Sequence, residues 1–283
     1  KDTAEDAYDH AFVLLALAQA KLAGISPPNG MLDRVMGVVD ALALTDKDGR
    51  FNGYAEDSAA TLPRRSNPHM HLLEAFMLAY EAFEDPSFLH RSIQIQSLLE
   101  TRFFDSKSLL LAEAFDQDLG FAGGAINSFE PGHQFEWAYL LNRLASLVDL
   151  AGVKVPGDAS PSTAINGLFS NALALGINPV TGLAYDIVHR SGAPVHDRSR
   201  AWVQAEMLGC LTSLTSTHHA HLRYAAERCA HKLWQHYIQP APNGMWIDVV
   251  DGRGRPATDT VPTSTFYHLI NCVDRYMDLS KQP

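Results

Sequence analysis

Four stretches of this chain open with a polar pair and continue as helix-patterned apolar sequence, and few folds can use that device four times. They are RSNPHMHLLEAF (Arg65–Phe76), PGHQFEWAYLL (Pro131–Leu141), RAWVQAEMLGCL (Arg200–Leu211) and STFYHLINCV (Ser264–Val273). Asn67 and His71, Arg200 and Gln204, and Ser264 and His268 are four residues apart, and His133 and Glu136 are three apart. Both spacings set two side chains on one face of a helix. Burying such groups is costly unless they are hydrogen-bonded or used. Imidazoles in three of the four copies predict a shared polar cavity, which is an active-site pattern.

The rest of the chain repeats around these runs. Apolar periodicity predicts helices over Tyr8–Ala23, Met31–Leu44, Pro68–Phe83, Ser87–Arg102, His133–Leu150, Pro161–Leu175, Arg200–Ser213, Ala220–Tyr237 and Ser264–Leu279. Between alternate pairs lie turn-rich segments with scattered aromatics: Asp46–Asp57, Leu109–Gly120, Ile177–Gly192 and Pro242–Pro256. Each reads as a short hairpin or irregular β segment. From His71 to His133, Gln204 and His268 the steps are about 62, 71 and 64 residues, the period of an α-hairpin array. A closed ring aims the heads of its inner helices at one pocket, whereas an open solenoid does not. The expected fold is therefore all-α, an (α/α)6 barrel in one domain over residues 1–283. About nine of its twelve helices are legible, and the first three are expected upstream of Lys1.

Composition narrows the partners. A net charge of −10 would repel phosphates and argues against a nucleic-acid partner. No apolar stretch reaches the roughly 18–20 residues of a spanning helix, so no membrane role is expected. Cys210, Cys229 and Cys272 are an odd count without CxxC spacing, and Cys210 and Cys272, within apolar helical runs, read as reduced core thiols, which points to the cytoplasm. There is no GxGxxG after a strand, no Walker loop, no HExxH and no GxSxG, so neither a nucleotide cofactor nor a serine nucleophile has support, and no cofactor is expected.

His133 sits near a helix N-terminus, where the helix dipole favours the neutral base, and Glu136 on the same face can fix its tautomer. His268 closes the fourth repeat with Ser264 one turn before it. His69 and His71 have HxH spacing, but on a helix they point about 200° apart, so no metal site is expected. His71 aligns with Asn67 and Glu74 instead. Arg200 and Gln204, with Glu206 nearby, can donate to hydroxyl or carbonyl oxygens. Trp137 and Trp202 offer flat faces for the C–H side of a sugar ring, or plain core packing. The His218–His219–His221 cluster reads as a solvated turn.

These motifs, with YDHAFVLLALA (Tyr8–Ala18) and the terminal Tyr267–His268, resemble the N-acylglucosamine 2-epimerase family. The NPHMHLLEA and PGHQFEW forms are similar to its mannose-6-phosphate isomerase-like branch. The resemblance implies a small-molecule sugar substrate, no redox cofactor, an (α/α)6 barrel with further helices before Lys1, and room for a homodimer. It implies that His133 and His268 form an acid/base pair, while Asn67, His71, Glu136, Arg200 and Gln204 shape the sugar site; Glu74, aligned with His71, and Trp137 and Trp202, with their flat faces, are further candidates for that site. An aldose–ketose isomerase is the first expectation and a 2-epimerase the alternative. A glycosidase or lyase would need two carboxylates across a cleft, and Glu74 and Glu136 each lie three residues from a histidine, which suits orientation better. A sugar-binding protein without turnover is the remaining class.

Overall fold

The computed structural model describes residues 5–121, 127–153, 161–217 and 222–280. Among them, nine α-helices dominate: α1 Ala7–Leu22, α2 Met31–Leu42, α3 Ser66–Phe83, α4 Pro86–Leu98, α5 Pro131–Ala151, α6 Pro161–Leu175, α7 Ala201–Thr217, α8 Arg223–Leu233 and α9 Ser264–Ser280. Each falls on a stretch with helical periodicity. Asp6 caps α1 by accepting from the Asp9 N–H at 3.0 Å, and Asp85 caps α4 ahead of Pro86. Pro68 lies in the first turn of α3, where its missing N–H costs nothing. At the C-termini of α4 and α8 the coil widens into π-type turns, Leu99–Phe103 and Trp234–Ile238. No helix among the described residues is long and apolar enough to cross a membrane. The His218–His219–His221 cluster lies outside the described residues.

Packing sorts the described residues into two compact units. One holds residues 5–107, 112–121 and 144–153; the other holds 108–111, 127–143, 161–217 and 222–280. In the first, α1 packs on α3, with α2 against α1 and α4 against α3. α3 buries thirteen of its eighteen residues, on every face. α2 buries Val35, Val39 and Leu42 along a single stripe. That difference marks an inner and an outer helix. Fully enclosed side chains such as Leu72, Leu73 and Phe76 each stabilise the unit by roughly 1.5–3 kcal/mol.

In the second unit α7 packs on α8 and α9. Asn142 Nδ2 donates to Ser213 Oγ at 2.9 Å and ties α5 to α7. α8 again buries one stripe, Ala226, Cys229 and Leu233.

The β structure is short and mostly long-range. Ala43–Thr45 and Phe51–Tyr54 form a local antiparallel hairpin, as the turn signals predict. The other predicted hairpins reduce locally to single bridges, such as Ile177 with Ala184 and Val250 with Pro256. Their main partners are the residues that lead into the polar-headed helices. Arg64–Arg65, before α3, pair antiparallel with Ala114–Phe115. Ser128–Phe129, before α5, pair with Val188–His189, and Arg198–Arg200, before α7, pair with Val249–Asp251. Around the second of these ladders Leu110, Phe129, Tyr185 and Val188 form a buried apolar cluster. Three of the four polar-headed helices, α3, α5 and α7, thus start from a strand clamped to a later loop. Arg200 is the last residue of such a strand and not, as the sequence predicts, the head of a helix; the extended ladder with Val249 wins over helical phase there.

Candidate active site

In the second unit, α5 enters through Pro131 and Gly132, which puts His133 in its first turn, 8% exposed. The His133 Nδ1 lies 3.9 Å from Glu130 Oε2. Gly132 leaves no room for a side chain, because a Cβ there would come within 2.3 Å of the Trp202 ring. Trp202 therefore rests on the backbone at the head of α5. Its ring centroid is 5.3 Å from that of His133 and 5.5 Å from that of His268. One indole is thus in ring contact with both imidazoles. The Arg200 guanidinium reaches over the same ring, 6.0 Å from its centroid.

His268, one turn into α9, is held by a carboxylate. Its Nδ1 lies 2.7 Å from Glu206 Oε1. Glu206 stands on α7 four residues beyond Trp202 and is 1% exposed. Burial alone would raise its proton affinity, but the His268 hydrogen bond and the charges of His268, Arg275 and His133 hold it below the usual carboxylate range. Glu206 is accordingly an anion, and the proton of the pair sits on His268 Nδ1. That tautomer makes Nε2 the atom that exchanges protons. Glu136, also buried, has a carboxylate oxygen within 4.8 Å of both Glu206 and His268 ligand atoms. The Arg275 guanidinium stacks on Tyr139, 3.7 Å from the ring centroid, with Nη1 3.7 Å from Glu206 Oε2. Asp248 braces the start of α9 by accepting from the Thr265 hydroxyl at 2.6 Å, and faces Arg200 Nη2 at 3.5 Å. The buried hydroxyl at this helix head is Thr265; Ser264, read from spacing as the partner of His268, is exposed.

In the first unit, α3 carries Asn67, His71 and Glu74 along one face, as their spacing requires. His71 is 5% exposed and packs against Tyr8 (5.0 Å, edge-on) and Phe12 (4.8 Å) from α1. A Glu74 carboxylate oxygen lies within 4.8 Å of a His71 ring nitrogen. Asn67 also lines a cleft of about 450 Å³ with Tyr8, Arg65 and the carboxylates of Asp6, Asp9, Glu56 and Asp57. His69 belongs to the core. Its Nε2 accepts from the Tyr54 N–H at 2.9 Å, and its Nδ1 meets the Arg65 carbonyl at 2.9 Å. Burial, together with the Arg64 charge, lowers its pKa to about 3.

Two residues expected to touch a sugar are placed otherwise. Gln204 is fully buried with its amide engaged: Oε1 accepts from the Ala184 N–H at 3.1 Å and Nε2 donates to Cys229 Sγ at 3.0 Å. Trp137 is 0% exposed and presents no face. Conversely, Glu206, Arg275, Asp248 and Thr265 take part in the second unit's polar cluster, and of these only Glu206 drew notice in the sequence. A signal existed: Glu206 is i+4 from Trp202, and Arg275 is i+7 from His268, two turns along one face.

The sequence profile described as N-acylglucosamine 2-epimerase matches residues 1–272. This chain belongs to the N-acylglucosamine 2-epimerase family. It is 30% identical over 291 residues to the mannose-6-phosphate isomerase of Rhizobium meliloti (strain 1021), covering 99% of this chain and 72% of that protein. It is 27% identical over 271 residues to the D-mannose isomerase of Thermobifida fusca, covering 88% of this chain and 63% of that one. A crystal structure of D-mannose isomerase superposes with a TM-score of 0.81 at 20% identity, over 98% of this chain and 73% of that structure. The fold is thereby the family's all-α (α/α)6 class, as the repeat period predicts.

Proposed function

We propose that this member of the N-acylglucosamine 2-epimerase family is a sugar isomerase that interconverts an aldose and a ketose, with mannose and fructose as the example. The observation that carries the reading is the buried imidazole pair of the second unit, His133 and His268, both in ring contact with Trp202, with Glu206 fixing the His268 tautomer. An aldose and its ketose are isomers, so the reaction needs proton movement and no redox partner. In this scheme His133 assists ring opening by moving the proton between the ring oxygen and the anomeric hydroxyl. His268 Nε2 then takes the proton from C2, the electron pair forms the C1–C2 double bond, and negative charge moves to O1 of a cis-enediolate. The O2 proton passes to O1, the C2 carbonyl forms, and His268 returns a proton to C1. A neutral imidazole suits proton abstraction next to a carbonyl. Arg200, beside Trp202, is the cation assigned to the enediolate oxygens. Glu136 is assigned to the sugar hydroxyls and to orienting the imidazoles.

The relatives named mannose-6-phosphate isomerase and D-mannose isomerase support this substrate class. The reading also has the protein in the cytoplasm, with room for a homodimer; its three cysteines are buried thiols, which suits a reducing compartment. Incubation with mannose in deuterium oxide, followed by NMR, tests it. Fructose carrying deuterium at C1 is the expected product. An aldose epimer labelled at C2 would move the assignment to 2-epimerisation, and neither product nor exchange would overturn it.

A further inference from the structure

Two buried carboxylates, Glu136 and Glu206, gather with His268 so that their ligand atoms all lie within 4.8 Å of one another. Negative charge concentrated in this way out of water calls for a cation. Arg275 supplies it from α9, seven residues after His268. Its guanidinium is lodged on three sides. The Tyr139 ring of α5 lies 3.7 Å below its carbon, the Glu206 carboxylate of α7 is 3.7 Å from Nη1, and Gly209 of α7 provides a notch. A Cβ at Gly209 would come within 2.5 Å of Nη1. A stacked cation on Tyr and a glycine left open for its edge are costly choices for a group with a purely solvating role.

We propose that Arg275 is a positioning residue for His268: seated between Tyr139 and Gly209, it draws on the Glu206 carboxylate from the side opposite the imidazole and so limits how strongly that carboxylate holds His268 in its protonated form. This deepens the assignment of His268 as the proton-transfer group and rests on it. Without the guanidinium, Glu206 would keep its full charge for the imidazolium, and a histidine locked as imidazolium is no base. The ionisable groups around His268 come from three helices. Among the described residues, they include Glu206, with Cys210 nearby, on α7, Glu136 and His133 on α5, and Tyr267, with Cys272 and Arg275 beside Glu206, on α9, while Arg200 lies over the Trp202 ring that touches His268. Burial holds both thiols protonated, whereas the Arg275 guanidinium, 3.7 Å from Glu206, opposes the carboxylate charge without itself titrating.

The test is an NMR titration of the imidazoles in the full-length protein labelled at histidine, which requires no turnover. In Arg275→Met, His268 should titrate higher than in wild type by about one pH unit. Gly209→Ala asks only the flexible end of Arg275 to move and favours helix, so it folds readily; it should move His268 in the same direction by a smaller step. Arg275→Lys, which keeps the charge, should stay closer to wild type than Arg275→Met. His268 titrating within about 0.3 units of wild type in Gly209→Ala, and in Arg275→Met where that variant folds, would overturn the proposal. If sugar turnover is present, the acid limb of the kcat/KM profile should follow the NMR shift, whereas a merely structural arginine would change the melting temperature and leave that limb in place. Absence of turnover in wild type would sink the isomerase reading and leave the titration result standing.

Discussion

Replacing His69 with glutamine should flatten the acid sensitivity of this protein. His69 is fully enclosed in the first unit, and burial with the nearby Arg64 charge lowers its pKa to about 3. In the unfolded chain the same ring titrates near 6.5. Between those values the unfolded state binds one proton that the native state refuses, so stability rises with pH through this window. The contribution is intact above about pH 6.5 and is lost progressively as pH falls toward about 3. At 1.36 kcal/mol per unit, lowering the pH from about 7.5 to about 5 should cost about 2 kcal/mol through His69 alone. His69→Gln keeps an amide oxygen for the Tyr54 N–H but cannot titrate. It will be less stable than wild type at both pH values, having lost ring volume in a packed site. The informative quantity is the difference of differences, in which every other titrating group cancels. Urea unfolding followed by tryptophan fluorescence, extrapolated to water at the two pH values, provides it. Wild type should lose about 2 kcal/mol more than the variant on acidification. Equal losses in the two proteins would refute the assignment of His69 as a neutral core imidazole.

Other substitutions probe the second unit. His268→Asn and His133→Asn should each lower kcat/KM for mannose by about 10²–10⁴-fold while leaving the thermal midpoint within a few degrees; near-normal turnover in either would remove that ring from the reaction. Gly132→Ala forces the Trp202 ring to retreat from a 2.3 Å clash to ordinary contact. A displacement of about 1 Å should cost roughly 1–3 kcal/mol of stability and on the order of 10²-fold in kcat/KM. Wild-type calorimetry and kinetics for that variant would show that the indole is not seated there.

Much of this architecture is legible before any coordinates. Punctuation by proline and glycine locates the helices to within a few residues, and Pro161–Leu175 is the same in sequence pattern and structure. His133, Glu136 and His268 are identifiable because a polar group in an apolar helical run has to be accounted for. The third motif is where phase reasoning fails. Read as a helix from Arg200, it pairs Arg200 with Gln204 on one face. With the helix starting at Ala201, the face that meets the histidines is Trp202 and Glu206, and Gln204 points about 200° away from either. Single-sequence periodicity could not see that Val249 would keep Arg200 extended, since a ladder spanning about 50 residues leaves no local trace. Arg275 escaped notice for a different reason: an arginine two turns down an amphipathic helix looks like a solvated charge until its neighbours are known.

The strands that precede α3, α5 and α7 have a consequence for anyone recombining this chain with its relatives. Because Arg198–Arg200 is stitched to Val249–Asp251, and Ser128–Phe129 to Val188–His189, a hairpin grafted from a homologue disturbs the preceding repeat more than its own. A crossover placed at a helix boundary separates a functional side chain from the backbone that aims it. Chimeras should therefore keep each lead-in strand together with the loop that follows one repeat later, and inherit or lose the two as one cassette.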